Sequence, residues 1–153
     1  MTLSSYPLRV GLLVIALSTL CRSSAAASAP EGHYAQSGKY VRALQTGLLW
    51  SPTLAATYSW FDAPQACAGL GEGWRVPTCK ELLTLVDLSS APGSPRIDPY
   101  YFPVTQTDDY YWSATERAAD NTHAWWVSFA DGSSASKDAD GLKSSLHYVR
   151  CVR

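Results

Sequence analysis

The sequence predicts an α+β domain with two helices followed by an antiparallel sheet. Two segments in the first half carry capping-box spacing ahead of an apolar face. The second half is instead a series of aromatic and β-branched runs separated by Asp-Gly turns. An early hairpin, two helices and then an antiparallel sheet is the order of an α+β fold rather than of alternating βαβ units. A length of 153 residues, 46% hydrophobic and 16% charged, fits one ordinary globular domain.

Residues 1–27 stand apart from that domain. A short stretch with Arg9, an apolar run from Val10 to Leu20 and then small residues have the layout of a secretory signal peptide. The run is too short for a good membrane span. Ala25 and Ala27 supply an A-x-A site for cleavage after Ala27. Lipoprotein processing at Cys21 is the lesser alternative, because Leu20 is bulky where a small residue is expected. The predicted product is periplasmic or secreted, with a small, polar, loose leader over 28–38 and the domain over 39–153.

Within the domain, Tyr40 to Leu44 and Gly47 to Ser51 read as short strands around a Gln45-Thr46 turn. A helix follows in DAPQACAGL: Asp62 and Gln65 have capping-box spacing, and Pro64 falls in the first turn, where its missing N–H costs nothing. Ala63, Cys67 and Leu70 share its inner face. In GWRVPTCKELLTLVD, Thr78 and Glu81 repeat the capping-box spacing, Cys79 is the first helical residue, and Leu82, Leu83, Leu85 and Val86 form the apolar stripe. The helix is expected to end near Ser89, before the loop-forming SSAPGSPRIDP. Arg75 is expected in a structural ion pair or bonded to loop carbonyls. YYWSAT (Tyr110 to Thr115), AWWVSF (Ala124 to Phe129) and LHYVRCV (Leu146 to Val152) are the sheet strands, with turns at Asp131-Gly132 and Asp140-Gly141.

Charge excludes one broad class of partner. Removing residues 1–27 deletes Arg9 and Arg22 and no acid, leaving 10 Lys+Arg against 13 Asp+Glu, a net charge of −3. No dense Lys/Arg run remains, so nucleic acid is not an expected partner. Cysteine count leaves more open: Cys67, Cys79 and Cys151 remain after cleavage, and an oxidising compartment favours one disulfide among three pairings.

The order of these segments resembles the Lcl C-terminal domain family of exported bacterial proteins. The matching pieces are TGLLW (Thr46 to Trp50), W-x-x-A-x-x-x-C (Trp60 to Cys67), GWRVPTCKEL (Gly73 to Leu82), YYWSAT, AWWVSFADG and the terminal YVRCVR (Tyr148 to Arg153). The resemblance implies a compact fold similar to C-type lectin-like domains and to the formylglycine-generating enzyme core. It also implies a bridge from an early helix to the last strand, here Cys67 to Cys151. The family usually has an ordinary aliphatic or polar residue where this chain has Cys79.

That departure weakens a catalytic reading of Cys79. A thiol at a helix N-terminus beside Lys80 has features of a nucleophile. It also needs a base, and no motif brings His33, His123 or His147 near it. The formylglycine-generating chemistry depends on a cysteine pair near the end of the domain, where only Cys151 lies. The histidines match no metal spacing. No cofactor is implied; calcium is the alternative considered, since Asp108, Asp109, Glu116, Asp120 and Asn121 flank one strand. The Glu-Pro-Asn, Gln-Pro-Asp and Trp-Asn-Asp motifs of calcium-dependent lectins are absent, so a solvated acidic loop is favoured.

Six tryptophans and nine tyrosines are the most suggestive feature. Strand alternation puts Trp125, Val127 and Phe129 on one face, and the resemblance implies that this face is the buried one, with Trp126 and Ser128 facing out. An exposed Trp126, with Tyr100, Tyr101, Tyr110 or His123 nearby, makes a platform for a sugar ring, whose hydroxyls Asp108, Asp109, Asp120 or Asn121 would bond. The expectation is a non-catalytic binding domain for a glycan or surface protein, with an envelope interaction component as the alternative.

Overall fold

The structure is a computed structural model that describes residues 32–153. The expected signal peptide lies outside the described residues. Seven strands and two α-helices run in the order β1 (Tyr34–Ser37), β2 (Tyr40–Ala43), β3 (Leu49–Thr53), α1 (Ala63–Ala68), α2 (Cys79–Leu83), β4 (Tyr111–Glu116), β5 (Ala124–Val127), β6 (Ser134–Ala135) and β7 (Arg150–Val152). The domain is α+β as expected, but its strands form two antiparallel sheets. One has the order β1-β2-β3-β7 and the other β4-β5-β6.

The described part of the segment read as a loose leader contains β1, which pairs along its whole length with β2, Tyr34 opposite Ala43 and Ser37 opposite Tyr40. Its four residues are polar or half-buried, as befits an edge strand, and therefore carry little apolar periodicity. At the other end of this sheet β7 closes against β3, with Trp50 opposite Val152. The two sheets meet where Tyr111 bridges Tyr148: Trp112 N–H donates to the Tyr148 carbonyl at 3.0 Å and Tyr148 N–H to that of Tyr110 at 3.0 Å.

Period-two alternation then sorts the core into two clusters. Trp50, Tyr111, Val127 and Val152 join Leu82, Leu85, Ile97, Phe102 and Phe129 in the first. Their chain neighbours Leu49, Trp112, Trp126 and Cys151 join Ala63, Cys67, Trp74 and Val149 in the second. Strands β3, β4, β5 and β7 thus contribute buried residues to both clusters.

The helices are shorter than expected. α2 ends at Leu83, with a turn after it, rather than near Ser89. Leu82 and Leu85 are buried, Val86 is half-buried, and Leu83 is exposed. Its capping box forms in full, the Thr78 side chain accepting from Glu81 N–H and the Glu81 carboxylate accepting from Thr78 N–H at 2.8 Å. Arg75 completes the corner with two bonds to the same carboxylate, at 2.6 and 2.8 Å. α1 has Pro64 in its first turn and buries Ala63 and Cys67, but Asp62 makes no cap. The turn at Asp131-Gly132 joins β5 to β6; Gly132 has φ +81°, and a Cβ there would lie 2.8 Å from Val86. Asp140-Gly141, read as a hairpin turn, instead ends a 3-10 helix over Ala139–Gly141.

Candidate functional site

The expected sugar platform does not assemble on Trp126. The Trp126 face of β5 is covered by the second cluster, although Val127 on the opposite face is buried too. Trp126 is 5% exposed, and the Tyr110 ring stacks on it at 3.9 Å between centroids and 25° between planes. Ser128, also read as outward, is buried. The alternation grouped the residues correctly; what it could not see is that α1, Trp74 and the bridged cysteines cover the second face.

Four of the predicted residues do come together. Asp108, Asp109, Tyr110 and Trp126 line a cavity of about 270 Å³ with Asp131 and Ser133. The Asp109 carboxylate accepts from Tyr110 N–H at 2.7 Å and contacts His147 Nδ1 at 2.7 Å, so it is held by its own loop and by the chain ahead of β7. Burial, with Asp140 and Asp109 close by, pushes the Tyr110 hydroxyl above its ordinary pKa. Trp126 Nε1 has no hydrogen-bond partner among the described residues.

The other predicted residues lie elsewhere. Tyr100 and Tyr101 line a separate cavity of about 240 Å³ with Phe102 and Arg150. Asp120, Asn121 and His123 lie in a loop whose backbone is bridged to Leu142 and Lys143, while the Asp120 carboxylate bonds within the loop. Asp120 accepts from the Thr122 hydroxyl at 2.6 Å and from Thr122 N–H at 2.9 Å, and contacts His123 Nδ1 at 2.5 Å. These contacts, the Thr122 hydroxyl first, hold the Asp120 carboxyl at about 2. Asn121 is exposed.

A wider cleft lies beside that loop, on the opposite side of β5 from Trp126. It measures about 680 Å³, and Trp125 is half-buried in its wall. Glu116, Arg117, Ser134 and Lys137 supply polar groups around the indole. Two of these are anchored from outside the cleft. Lys143 Nζ meets Glu116 at 2.8 Å, and Arg117 reaches Asp120 at 3.6 Å. The cleft opens because β6 has only two residues and the chain after β4 turns away through Arg117, Ala118 and Ala119, leaving the Trp125 side of the sheet partly covered. Sequence reasoning missed Trp125 because it inferred exposure of one face from burial of the other, and that inference fails where both faces of a strand carry buried residues.

Cys79 does not sit in a nucleophile's surroundings. Its side chain is buried, burial pushes the thiol above its ordinary pKa, and only a hydrogen bond with Ser134 opposes that shift. Activated thiols are shifted the other way. No group of three or more His, Cys, Asp or Glu side chains able to hold a metal occurs among the described residues. No helix among them is long and apolar enough to cross a membrane. Cys67 and Cys151 are bridged, as the resemblance implied, with Cα atoms 5.5 Å apart.

Among curated proteins none matches the sequence. The family model of the Lcl C-terminal domain matches residues 39–153, most of the chain and all of the elements from β2 to β7, and the chain therefore belongs to the Lcl C-terminal domain family.

Proposed function

We propose that this is an exported, non-catalytic binding module that takes a glycan in the Trp125 cleft. The observation that carries the reading is a half-buried indole in the wall of a 680 Å³ cleft with charged and hydroxyl groups around it. That volume falls in the roughly 300–1,000 Å³ range of small-ligand sites, whereas the Tyr110–Trp126 cavity is below it. A sugar presents an apolar C–H face to an aromatic ring and hydroxyls to charged and amide groups, so it suits an aromatic wall with a polar rim. Export is favoured by the signal-peptide pattern of residues 1–27 and by a disulfide of the kind that oxidising compartments maintain.

The test is a glycan array probed with residues 28–153, with calcium and again with chelator. Specific binding that Trp125→Ala removes and Trp126→Phe leaves intact supports the reading. Loss with Trp126→Phe alone would transfer the site to the Tyr110 side. A blank array in both conditions would overturn glycan recognition and favour a protein partner in the envelope.

A further inference from the structure

A second site is suggested by a buried charge that makes no ion pair among the described residues. Arg150 is 1% exposed. Its guanidinium is surrounded by neutral groups: Nη2 donates to Thr53 Oγ1 at 2.9 Å and to Thr105 Oγ1 at 2.8 Å, and Nη1 to the Ser51 carbonyl at 3.3 Å. The Phe102 and Tyr111 rings lie 4.7 and 5.8 Å from its centre. None of the ion pairs among the described residues includes it, and Nε has no partner.

This arrangement is energetically incomplete. A desolvated cation is normally matched by a carboxylate, and the aromatic faces and hydroxyls offset only part of its lost hydration. Burial accordingly pulls the guanidinium below its ordinary pKa. The same arginine forms part of the wall of the 240 Å³ cavity that Tyr100 and Tyr101 line. The remaining wall is largely apolar, with Val41, Phe102 and Val104, and two exposed polar residues, Gln36 and Lys39, also border it. A cavity with an uncompensated cation in an apolar wall and an ammonium group at its border selects a small molecule with one anionic end and an apolar body.

We infer that this cavity binds a small organic carboxylate, whose anionic end lies against the Arg150 side of the wall and whose apolar body packs against Phe102 and Val104. The site is separate from the Trp125 cleft and shares no lining residue with it. A single positive charge in a largely apolar wall matches a monoanion with an apolar body better than a multiply charged, fully polar phosphate.

The probe is sodium benzoate, with its neutral isostere benzamide and inorganic phosphate as comparators, followed by amide NMR shifts and by thermal unfolding. The expected result is saturable benzoate binding with a Kd of about 1 mM or tighter. Shifts should centre on residues 36–41 and 100–104, Tm should rise with ligand, and benzamide should bind at least tenfold more weakly. Val104→Trp, which fills the cavity from an exposed position and leaves Arg150 in place, should raise the Kd at least tenfold. Arg150→Met should abolish binding where it folds, and Val104→Trp decides the matter where it does not. Equal binding of benzamide, tighter binding of phosphate, no saturation by benzoate, or an unaffected Val104→Trp variant would each overturn the inference.

Discussion

The two short helices begin from sequences with the same spacing and are held in different ways. α2 is anchored locally. Thr78 and Glu81 close a capping box, and Arg75 locks the glutamate from the other side. α1 has Asp62 and Gln65 at the same separation and no side-chain cap, because Asp62 takes the Ser59 hydroxyl instead and its own backbone is already helical at φ −89°, ψ −22°. A capping residue must sit in the extended region for its side chain to reach back to the N–H groups of the first turn, as Thr78 does at ψ 160°. α1 is held from a distance, by the bridge from Cys67 to Cys151 across 84 residues. Each helix serves its own cluster, α2 the Val127 side and α1 the Trp126 side. One side therefore depends on local chemistry and the other on a covalent link.

The sharpest way to break this contrast is to remove the bridge. Cys67→Ala with Cys151→Ala should lower stability by about 4.5 kcal/mol in the chain-entropy account for a loop of this length, read by denaturant unfolding. A loss comparable to that of a single surface change would mean that α1 is held by packing alone.

Next in size is Trp126→Ala, which removes a stacked indole from the bridged side and should cost about 3–5 kcal/mol. Trp125→Ala, on the cleft side of the same strand, should cost less in the same measurement, because that indole is only partly buried. Equal losses would contradict the assignment of Trp126 to the core and Trp125 to the cleft.

The caps give a smaller, paired test. Thr78→Ala should cost about 1 kcal/mol, whereas Asp62→Ala should stay within about 0.5 kcal/mol. Similar losses would show that the matching spacings act alike after all.

The smallest effect is one of pH. The bond to Arg75, and then those to Thr78, lower the Glu81 carboxyl from its ordinary 4.5 to about 2. A depressed folded-state pKa stabilises above the unfolded value and ceases to do so as pH falls through the folded one. The contribution should therefore fade between pH 4.5 and about 2, and Glu81→Gln should flatten the stability profile across that window. An unchanged slope would remove Glu81 from the account of how α2 is fixed.

Much of the domain was legible in its sequence because the relevant physics is local. The Thr78–Glu81 box, Pro64 in a first turn, the Asp131-Gly132 turn and the alternation of Trp125 with Trp126 each depend on a few neighbouring residues. The order of motifs identified the family and, through it, the Cys67–Cys151 bridge. What lay beyond reach was long-range. β1 is a strand because β2 offers it an edge. Asp62 fails as a cap because Ser59 competes for its carboxylate. Alternation says which side chains share a face, but only the packing of α1 and the bridged cysteines decides that the Trp126 face is closed while the Trp125 face keeps a cleft. The same holds for Arg150: the sequence showed only a strand residue, and the tertiary structure put it in a cavity wall with no ion pair among the described residues. Spacing along the chain fixes periodicity, whereas exposure depends on which distant segments cover each face.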